Sequence, residues 1–276
     1  MTTASEWSGR VGDAWAQEWR RTDRMFAALA PVLDAAILAA APAGAVRAID
    51  IGCGAGTTSL ALAAARPDIM VTGIDVSPDL VAVALARAAD LPNCTFVTAD
   101  LNRPSPIADP GSVDLLVSRH GVMFFDDPTA AFVRLRAAAR PGAALVFSCF
   151  REAAANPWAS DLVAAVTGNP VAPASGYVPG PFGFADPAIP AAALAAAGWR
   201  VAEPVPIDFT YIAGAGDDPV AEAVALFRRI GPIASAMRAT PRSGEMVDRL
   251  ASALERYRTG AAVTFPAAAW LWHATA

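Results

Sequence analysis

Through the middle of the chain, short runs of apolar residues alternate with longer segments of helical composition. Strands and helices that alternate at this spacing predict parallel βαβ units in a doubly wound α/β sheet. Because the strand segments are apolar throughout, we expect the sheet to be covered on both faces. The predicted strands are 46–51, 70–75, 95–100, 113–118 and 143–150, and the predicted helices are 57–66, 77–89 and 127–140.

The regular alternation stops after residue 150. Residues 151–187 are rich in Pro, Gly and aromatic side chains, and 217–259 has helical composition with breaks near Gly231–Pro232 and Pro241. We expect these two segments to be insertions over one end of the sheet, within a single domain that spans 1–276. The remaining predictions are helices before the first strand (1–42), a helix (188–198), an extended segment (199–212) and a final buried strand (267–275).

A glycine-rich turn follows the first predicted strand, in the run DIGCGAGT. Its glycines, Gly52, Gly54 and Gly56, allow positive φ angles and the close approach of a ligand to the backbone. The helix that follows offers free N–H donors at its first turn. The spacing is G-x-G-x-G and not the G-x-G-x-x-G of dinucleotide-binding turns, and a glycine motif alone is a weak signal.

Three acidic residues stand at the ends of the first three predicted strands. Asp50 lies two residues before the first glycine, where a carboxylate suits an ammonium or a sulfonium-bearing amino acid better than a pyrophosphate. Asp75 is placed to accept both hydroxyls of a ribose. Asp100 is placed to accept from an adenine amine, beside the backbone N–H and apolar wall of Leu101. These features together sharpen the glycine motif into a nucleoside-binding prediction.

Composition and charge exclude several classes of protein. Apolar residues make up 55% of the chain and charged residues 17%, so we expect an ordered core. All basic side chains are Arg, which excludes a Schiff-base lysine and a P-loop lysine. The net charge of −5 argues against nucleic acid as a partner. The longest apolar stretch is too interrupted for a membrane span.

The cysteines give no sign of a metal centre or a disulfide framework. Cys53, Cys94 and Cys149 are widely spaced and odd in number. We therefore expect no metal, and we interpret the cysteines as those of a protein in a reducing, cytoplasmic compartment.

The successive motifs of residues 46–150 resemble those of class I S-adenosylmethionine-dependent methyltransferases. The resemblance rests on DIGCGAGT, GIDVS, TADL, SRHGVMFFDDP and RPGAALVF, in the right order and spacing. The wider chain resembles the bacterial small-molecule branch near the quinone-biosynthesis C-methyltransferases, including WSGRVGDAWAQEW at the start and PAAAWLWHATA at the end.

This resemblance implies a fold and a cofactor. It implies a seven-stranded Rossmann-like sheet whose last strand is antiparallel, with S-adenosyl-L-methionine bound by a core at 43–150. The N-terminal 1–42 would then form a helical lid, and the two insertions would lie on the acceptor side.

The resemblance also implies roles for individual residues. Its implied cofactor contacts are Asp50, Gly52, Cys53, Gly54 and Gly56 for the methionine part, Asp75 and Val76 for ribose and adenine, Asp100 and Leu101 for adenine, and Ser118 beside methionine and acceptor.

His120 stands where we expect an aromatic residue in this branch. It is either a general base for the acceptor or an aromatic substitute that packs near the cofactor.

Two further polar positions follow the fourth predicted strand. Arg119 either binds an acidic acceptor or reaches the surface. Asp126–Asp127 most simply cap a helix before Pro128.

Aromatic residues at two places in the chain fit either a ligand site or ordinary packing. In the N-terminal segment, Trp15 is a candidate to cover the cofactor, together with Trp7 and Trp19. In the first insertion, four residues fit either an apolar acceptor pocket or a loop that packs on itself: Trp158, Tyr177, Phe182 and Phe184.

The predicted function is methyl transfer to a small, apolar or aromatic acceptor, by O- or C-methylation through in-line displacement. The alternatives are a non-catalytic S-adenosylmethionine-binding module, N- or S-methylation of a small metabolite, methylation of a macromolecule, and a nucleotide-cofactor oxidoreductase. Oligomeric state is left open, with a homodimer as one option.

Overall fold

The computed structural model describes residues 4–170, 176–239 and 243–276. Part of the first predicted insertion and the predicted break at Pro241 lie outside these ranges. The strands are β1 (Val46–Ile51), β2 (Ile69–Asp75), β3 (Cys94–Thr98), β4 (Val113–Arg119), β5 (Ala139–Phe150), β6 (Arg200–Val201), β7 (Val205–Ala215), β8 (Arg258–Thr259) and β9 (Ala262–Thr275). The helices are α1 (Ala4–Trp7), α2 (Arg10–Gln17), α3 (Trp19–Met25), α4 (Ala30–Ala40), α5 (Thr57–Ala65), α6 (Pro78–Arg87), α7 (Pro128–Ala138), α8 (Asp161–Thr167), α9 (Ala188–Ala196), α10 (Pro219–Arg229), α11 (Gly231–Arg238) and α12 (Ser243–Glu255).

One sheet organises the chain, in the order β3-β2-β1-β4-β5-β9-β6. The first five strands are parallel, and β9 runs antiparallel to β5. Strands β6 and β7 pair with successive parts of β9 and together make one interrupted edge strand. The predicted doubly wound sheet with an antiparallel last strand is therefore confirmed, and the two-residue β8 is an addition to it.

Helices cover both faces of the sheet, as its apolar strands predict. Leu116 of β4 points into a large cluster that contains Phe132 of α7. Its neighbour Val117 points the other way, into a second cluster that contains Leu33 and Ile37 of α4. Alternation along each strand thus supplies two separate apolar layers.

Local signals in the sequence fix several helix starts. Ser77 caps α6 by accepting from the N–H of Leu80 at 3.3 Å. Asp127 caps α7 by accepting from the N–H of Ala130 at 3.0 Å, which confirms the predicted cap before Pro128. Within the described ranges, no helix is long and apolar enough to cross a membrane.

Several strand boundaries differ from the prediction, among them the start of β5, which lies at Ala139 instead of 143. Strand β3 ends at Thr98, because the Ala99 N–H makes the last bond to Asp75 and the chain then turns at Asp100. Strand β9 begins at Ala262 instead of 267, since it also pairs with β8 across the turn at Gly260. Such pairings depend on partners distant in sequence, which local composition does not reveal.

The N-terminal helices divide into two groups. Leu33 and Ile37 of α4 belong to the core behind the sheet. By contrast, α2 packs on α6 and α3 packs on β7, where Arg24 donates to the carbonyl of Ala213 at 3.3 Å. The lid that we propose is therefore shorter than the expected 1–42 and consists of α1 to α3.

Ion pairs join this lid to the second insertion. Arg21 and Arg24 both pair with Glu222 of α10, at 2.9 and 3.4 Å, and Arg229 pairs with the buried Glu18 at 3.0 Å. Helices α8, α10, α11 and α12 in turn contact one another. The lid and the second insertion thus form a continuous cover over one edge of the sheet.

Gly12 sets how closely α2 approaches α6. A Cβ at this position would lie 2.2 Å from Ser77 Oγ and 2.2 Å from the carbonyl oxygen of Trp7. We therefore expect Gly12→Ala to displace the lid and to cost about 1–3 kcal/mol, despite the better helix propensity of Ala. Limited proteolysis at the N terminus, with thermal unfolding alongside, measures both effects.

Gly9→Ala is the matched control, since its added Cβ would be 3.4 Å from the carbonyl oxygen of Ser5. Equal behaviour of the two variants would show that α2 does not depend on this close approach.

Candidate active site

A cleft opens at the carboxyl ends of β1, β2 and β4, where open α/β sheets bind ligands. Of the residues that the sequence singled out for the cofactor or for catalysis, it is lined by Trp15, Asp50, Gly52, Cys53, Gly54, Asp75, Val76, Asp100, Leu101 and His120. Gly56 and Ser118 do not line it. The cover formed by the lid and the second insertion closes its other side through Phe26, Phe227 and Ile230.

The glycine turn needs its glycines for different reasons. Gly52, Gly54 and Gly56 have φ angles of 62°, 55° and 86°. A Cβ on Gly52 would lie 2.9 Å from the Cα of Gly121, so the two loops touch through their backbones. A Cβ on Gly56 would lie 2.8 Å from the Phe96 ring. Gly56 therefore serves packing and the start of α5, while Gly52 and Gly54 face the cleft.

Asp50 is a buried carboxylate with one oxygen unused. Its side chain is 1% exposed, and its Oδ2 accepts from the Ser59 hydroxyl at 2.6 Å. Its Oδ1 has no hydrogen-bond partner among the described residues. Burial raises the pKa of Asp50 to about 7, against the lowering effects of Ser59 and Arg119. A cationic ligand in the cleft would supply the missing partner.

Asp75 ties two segments of the cleft wall together. Its carboxylate accepts from the N–H of Gly54 and from the N–H of Ser77, each at 2.9 Å. Each oxygen keeps a lone pair for a further donor. Burial raises the pKa of this carboxyl, and the two backbone N–H groups oppose that effect. Asp75 and the adjacent Val76 both face the cleft, as the prediction of a ribose site requires.

Asp100 and Leu101 form the far end of the same wall. Asp100 accepts from the N–H of Asn102 at 2.9 Å, which fixes the turn after β3. Arg134 holds the Leu101 carbonyl at 2.5 Å, so this apolar side chain stays on the cleft wall. The acidic ends of three strands are thus brought to one cleft.

Ser118 has a different position from the one predicted. It is fully buried, donates to the carbonyl of Ile51 at 2.7 Å and accepts from the N–H of Gly121 at 3.1 Å. Backbone groups use the hydroxyl donor and one of its two lone pairs, and the buried side chain does not line the cleft, so the predicted contact with cofactor and acceptor is corrected to a structural role. The position after a strand, which suggested ligand contact, fits a loop anchor equally well.

His120 occupies a backbone conformation that is rare for a side chain with a Cβ. Its φ is 61°, the only positive value at a non-glycine position in the described ranges. Its N–H donates to the carbonyl of Ser148 at 3.0 Å, and its Nδ1 lies 2.9 Å from the Ser148 hydroxyl. Its Nε2 is buried with no partner among the described residues.

The imidazole of His120 is uncharged at neutral pH. Burial, with a smaller contribution from the neighbouring Arg119, lowers its pKa to about 3. A group with so low a pKa is a poor proton acceptor, but either tautomer leaves one capacity for hydrogen bonding at Nε2.

Aromatic rings surround His120 on the side away from the glycine turn. Phe150 lies 4.2 Å from the imidazole centroid in an edge-on arrangement, and Phe26 lies at 5.2 Å. Trp158 stacks on Tyr211 at 5.1 Å and contacts Phe150 at 5.0 Å. We name this part of the cleft the aromatic chamber, formed by Phe26, His120, Phe150, Trp158, Tyr211 and Phe227.

The sequence identified only part of this chamber. Of the insertion aromatics, Trp158 lines the cleft, and Phe182 packs behind it at 5.9 Å. Tyr177 donates to the carbonyl of Phe125 at 2.5 Å, and Phe184 is fully buried in the core, so both are structural.

The residues that sequence analysis missed come from other elements. Phe150 ends a predicted strand on the ligand edge, which was a usable signal. Phe26, Tyr211 and Phe227 lie in segments whose position relative to the sheet has no local signature.

The architecture and the cleft define an α/β fold of the S-adenosylmethionine-dependent methyltransferase type. A family model described as a methyltransferase domain matches residues 49–147. The match covers about a third of the chain, and over this segment it confirms the recognition drawn from the motifs.

Curated relatives match the same region in part. A trans-aconitate 2-methyltransferase of Klebsiella pneumoniae is 38% identical over 87 residues, which cover 32% of each chain. A malonyl-[acyl-carrier protein] O-methyltransferase of Halalkalibacterium halodurans is 29% identical over 105 residues, 37% of this chain and 38% of that protein. The chain thus spans about a third of the length of these relatives.

Solved structures share the fold over most of the chain. A putative methyltransferase from Bacillus halodurans has a TM-score of 0.56 at 15% identity, covering 88% of this chain and 97% of that one. The [4+2]-cyclase SpnF has a TM-score of 0.50 at 21% identity, covering 88% and 80%. These likenesses concern the fold alone.

The residues of the cleft fit S-adenosylmethionine. Asp50 offers an orphaned carboxylate oxygen to a cationic amino-acid group, and Asp75 offers acceptor capacity to ribose hydroxyls. The backbone at Gly52 and Gly54 adopts φ angles that leave the turn without side chains. The hydrogen-bonding groups of the cleft therefore match those of the cofactor expected for this family.

The raised pKa of Asp50 predicts that the stability of the ligand-free protein depends on pH. Because the folded-state pKa of about 7 exceeds the ordinary 3.8, the folded chain holds this proton more tightly than the unfolded chain does. The resulting stabilisation is full below pH 3.8 and is lost as the pH rises through 7. When the pH rises from 5.5 to 8, the free energy of unfolding of Asp50→Asn should therefore increase by about 2 kcal/mol relative to that of the natural protein.

Denaturant unfolding of both proteins at the two pH values measures this difference. Ser59→Ala is the matched control, because it keeps the carboxylate and removes a group that lowers its pKa. A constant difference between Asp50→Asn and the natural protein at both pH values would contradict the raised pKa.

Proposed function

We propose that the protein transfers the methyl group of S-adenosylmethionine to a small apolar or aromatic acceptor, by O- or C-methylation. One observation carries the proposal: the acid-lined nucleoside wall and the aromatic chamber belong to a single cleft, joined at His120. A cofactor against Asp50 and Asp75 would present its sulfonium methyl toward the chamber. The aromatic walls suit a flat or apolar acceptor.

The proposed cofactor contacts follow the wall of the cleft. The amino-acid part lies against the glycine turn, the ribose against Asp75, and the adenine between Asp100 and Leu101, with Trp15 of the lid as a cover. The proposed contacts are Asp50, Gly52, Cys53, Gly54, Asp75, Val76, Asp100, Leu101 and Trp15.

The protein's contribution to the reaction is alignment and the exclusion of water. S-adenosylmethionine supplies a methyl group that is activated by its positive sulfur. The lid and the insertions bury the chamber, so the acceptor is held in line with few competing water molecules. His120 holds the acceptor through Nε2, and Ser148 fixes the orientation of its ring.

The low pKa of His120 bears on the class of acceptor. An acceptor whose proton had to be removed would transfer it to an imidazole with a pKa of about 3. Acceptors that arrive ionised, or that need no proton removal, are therefore favoured over neutral alcohols. One of the partial relatives is named a malonyl-[acyl-carrier protein] O-methyltransferase, which favours oxygen over carbon as the acceptor atom.

Other reactions on this fold remain alternatives. SpnF is described as a cyclase, which illustrates that the fold does not determine the reaction. Among the alternatives are a non-catalytic S-adenosylmethionine-binding module and an N- or S-methyltransferase of a small metabolite. Product analysis separates all of them from the proposed reaction.

Calorimetric titration with S-adenosylmethionine, S-adenosylhomocysteine and NAD tests the cofactor. We expect micromolar binding of both adenosyl ligands and no binding of NAD. A methyl-transfer assay with labelled cofactor then screens phenols, quinols and aromatic carboxylates, and mass spectrometry locates the methyl group. Absence of adenosyl binding in protein free of copurified ligand would refute the proposal.

His120→Phe tests the role of the only polar side chain in the aromatic chamber that offers a free nitrogen. We expect kcat/KM for the acceptor to fall about 10-fold or more, because a hydrogen bond to the acceptor is lost, while the affinity for S-adenosylhomocysteine stays unchanged. Steady-state kinetics and calorimetry measure the two quantities.

Ser148→Ala is the companion variant, since it keeps the imidazole and removes its fixed partner at Nδ1. A smaller loss is expected for it. Unaltered turnover in His120→Phe would mean that the imidazole only packs against Phe26 and Phe150.

A further inference from the structure

The hydroxyl of Tyr211 is an unpaired polar group in the aromatic chamber. This side chain lies on β7, is 3% exposed and lines the cleft. Among the described residues, none forms a hydrogen bond with its hydroxyl, and burial raises the pKa of the phenol. The hydroxyl therefore stays protonated at neutral pH, with both its donor and its acceptor capacity available.

Neighbouring rings hold Tyr211 in place without satisfying its hydroxyl. Trp158 and Phe227 lie nearly parallel to it, at interplanar angles of 8° and 10° and centroid distances of 5.1 and 6.4 Å. Phe26 and Phe265 meet it edge-on, at 6.2 and 6.3 Å. Because a buried hydroxyl without a partner costs free energy, a ligand in the chamber is the partner that the structure leaves for it.

The second unpaired group of the chamber, Nε2 of His120, is a donor. Ser148 is fully buried, and its hydroxyl has His120 Nδ1, at 2.9 Å, as its one partner among the described residues. If this hydroxyl donates to Nδ1, only the Nε2–H is left unpaired. The opposite tautomer would leave two buried groups unpaired, the Ser148 O–H and the Nε2 lone pair. The first arrangement is favoured, since each unpaired buried group is destabilising.

His120 and Tyr211 border the same part of the cleft. The Phe26 ring lies 5.2 Å from the imidazole centroid and 6.2 Å from the Tyr211 centroid. A second connection runs through Phe150, which is 4.2 Å from His120 and 5.0 Å from Trp158. The two donors are thus one ring apart along the Phe26 side, a spacing that suits two substituents of a single ligand ring.

We propose that the acceptor is a single aromatic ring with two oxygen substituents, one bound by the Tyr211 hydroxyl and the other by Nε2–H of His120. This inference rests on the proposed function, whose acceptor class it narrows. His120 adjoins Gly121, whose backbone touches Gly52 of the glycine turn, so the oxygen at His120 is the one nearer the cofactor. Tyr211 holds the other oxygen and is a specificity-determining residue.

The test uses two pairs of probes that differ in one hydroxyl group. Hydroquinone is matched by 4-methylphenol and resorcinol by 3-methylphenol, because a methyl group replaces one hydroxyl at nearly equal size. Binding is measured by calorimetry on the full chain with saturating S-adenosylhomocysteine. We expect the natural protein to bind at least one diol about fivefold or more tightly than its matched methylphenol.

Tyr211→Phe should reduce this preference to within about twofold. The affinity for the methylphenols should change by less than about twofold, because His120 still binds their one hydroxyl. The affinity for S-adenosylhomocysteine should stay unchanged, which also shows that the variant is folded.

Tyr257→Phe is the matched control. Tyr257 packs on Phe265 at 4.1 Å, as Tyr211 does from another side, but it does not line the cleft. The same substitution there should keep the preference for the diol and all affinities.

Thermal unfolding of the ligand-free protein is a second measurement, and it needs no acceptor. Tyr211→Phe should leave the unfolding midpoint unchanged or raise it, because the substitution removes an unpaired buried hydroxyl and breaks no hydrogen bond. A midpoint lowered by several degrees would show that the hydroxyl has a structural partner, and the inference would be wrong.

Three binding results would also overturn the inference. The natural protein with S-adenosylhomocysteine bound could show no preference for either diol, or bind none of the four probes. Tyr211→Phe could keep the natural preference. It could also weaken diol and methylphenol equally, which would make Tyr211 a packing residue. Failure of S-adenosylhomocysteine itself to bind the natural protein is distinct, because it would refute the proposed function.

Discussion

The contact between the turns that follow β1 and β4 is the constraint on which the cleft depends. Gly52 and Gly121 meet through their backbones, and a Cβ on Gly121 would lie 2.5 Å from the carbonyl of Ile51. Ser118 fastens the same two turns by hydrogen bonds to each. Because the two turns are in contact here, the segments that follow them line two different parts of the cleft. The glycine turn leads to the acidic wall of the cleft, and His120 leads into the aromatic chamber.

The positive φ of His120 is a consequence of this junction. The residue must enter the chamber directly after β4 while its N–H still bonds to Ser148 of β5. A left-handed conformation costs about 1–2 kcal/mol for a side chain with a Cβ. The strain is retained where the surrounding contacts over-determine the backbone, and here they place an imidazole nitrogen at the boundary of the two ligand regions.

The sequence predicted the features that depend on neighbouring residues in the chain, and it missed those that depend on tertiary contacts. Apolar runs, the Ser77 and Asp127 caps and the glycine spacing each act within a few residues, so the sheet, its helices and the meeting of the acidic strand ends at one edge were predictable. The chamber was not, because Phe26, Tyr211 and Phe227 reach it from the lid, an edge strand and an insertion. Ser118 shows the opposite error, since its position at a strand end resembled a ligand contact although backbone groups use its hydroxyl.

The charged groups of the cleft lower the stability of the ligand-free protein. Asp50 keeps an oxygen without a partner, and Arg119 keeps a guanidinium with one long ion pair. A cationic ligand would supply the missing partner of Asp50, whereas a buried carboxylate oxygen without a partner is a net cost to the fold. Binding of the cofactor would thus relieve one unfavourable burial, and the aromatic chamber would offer the acceptor a second group without a partner, Nε2 of His120.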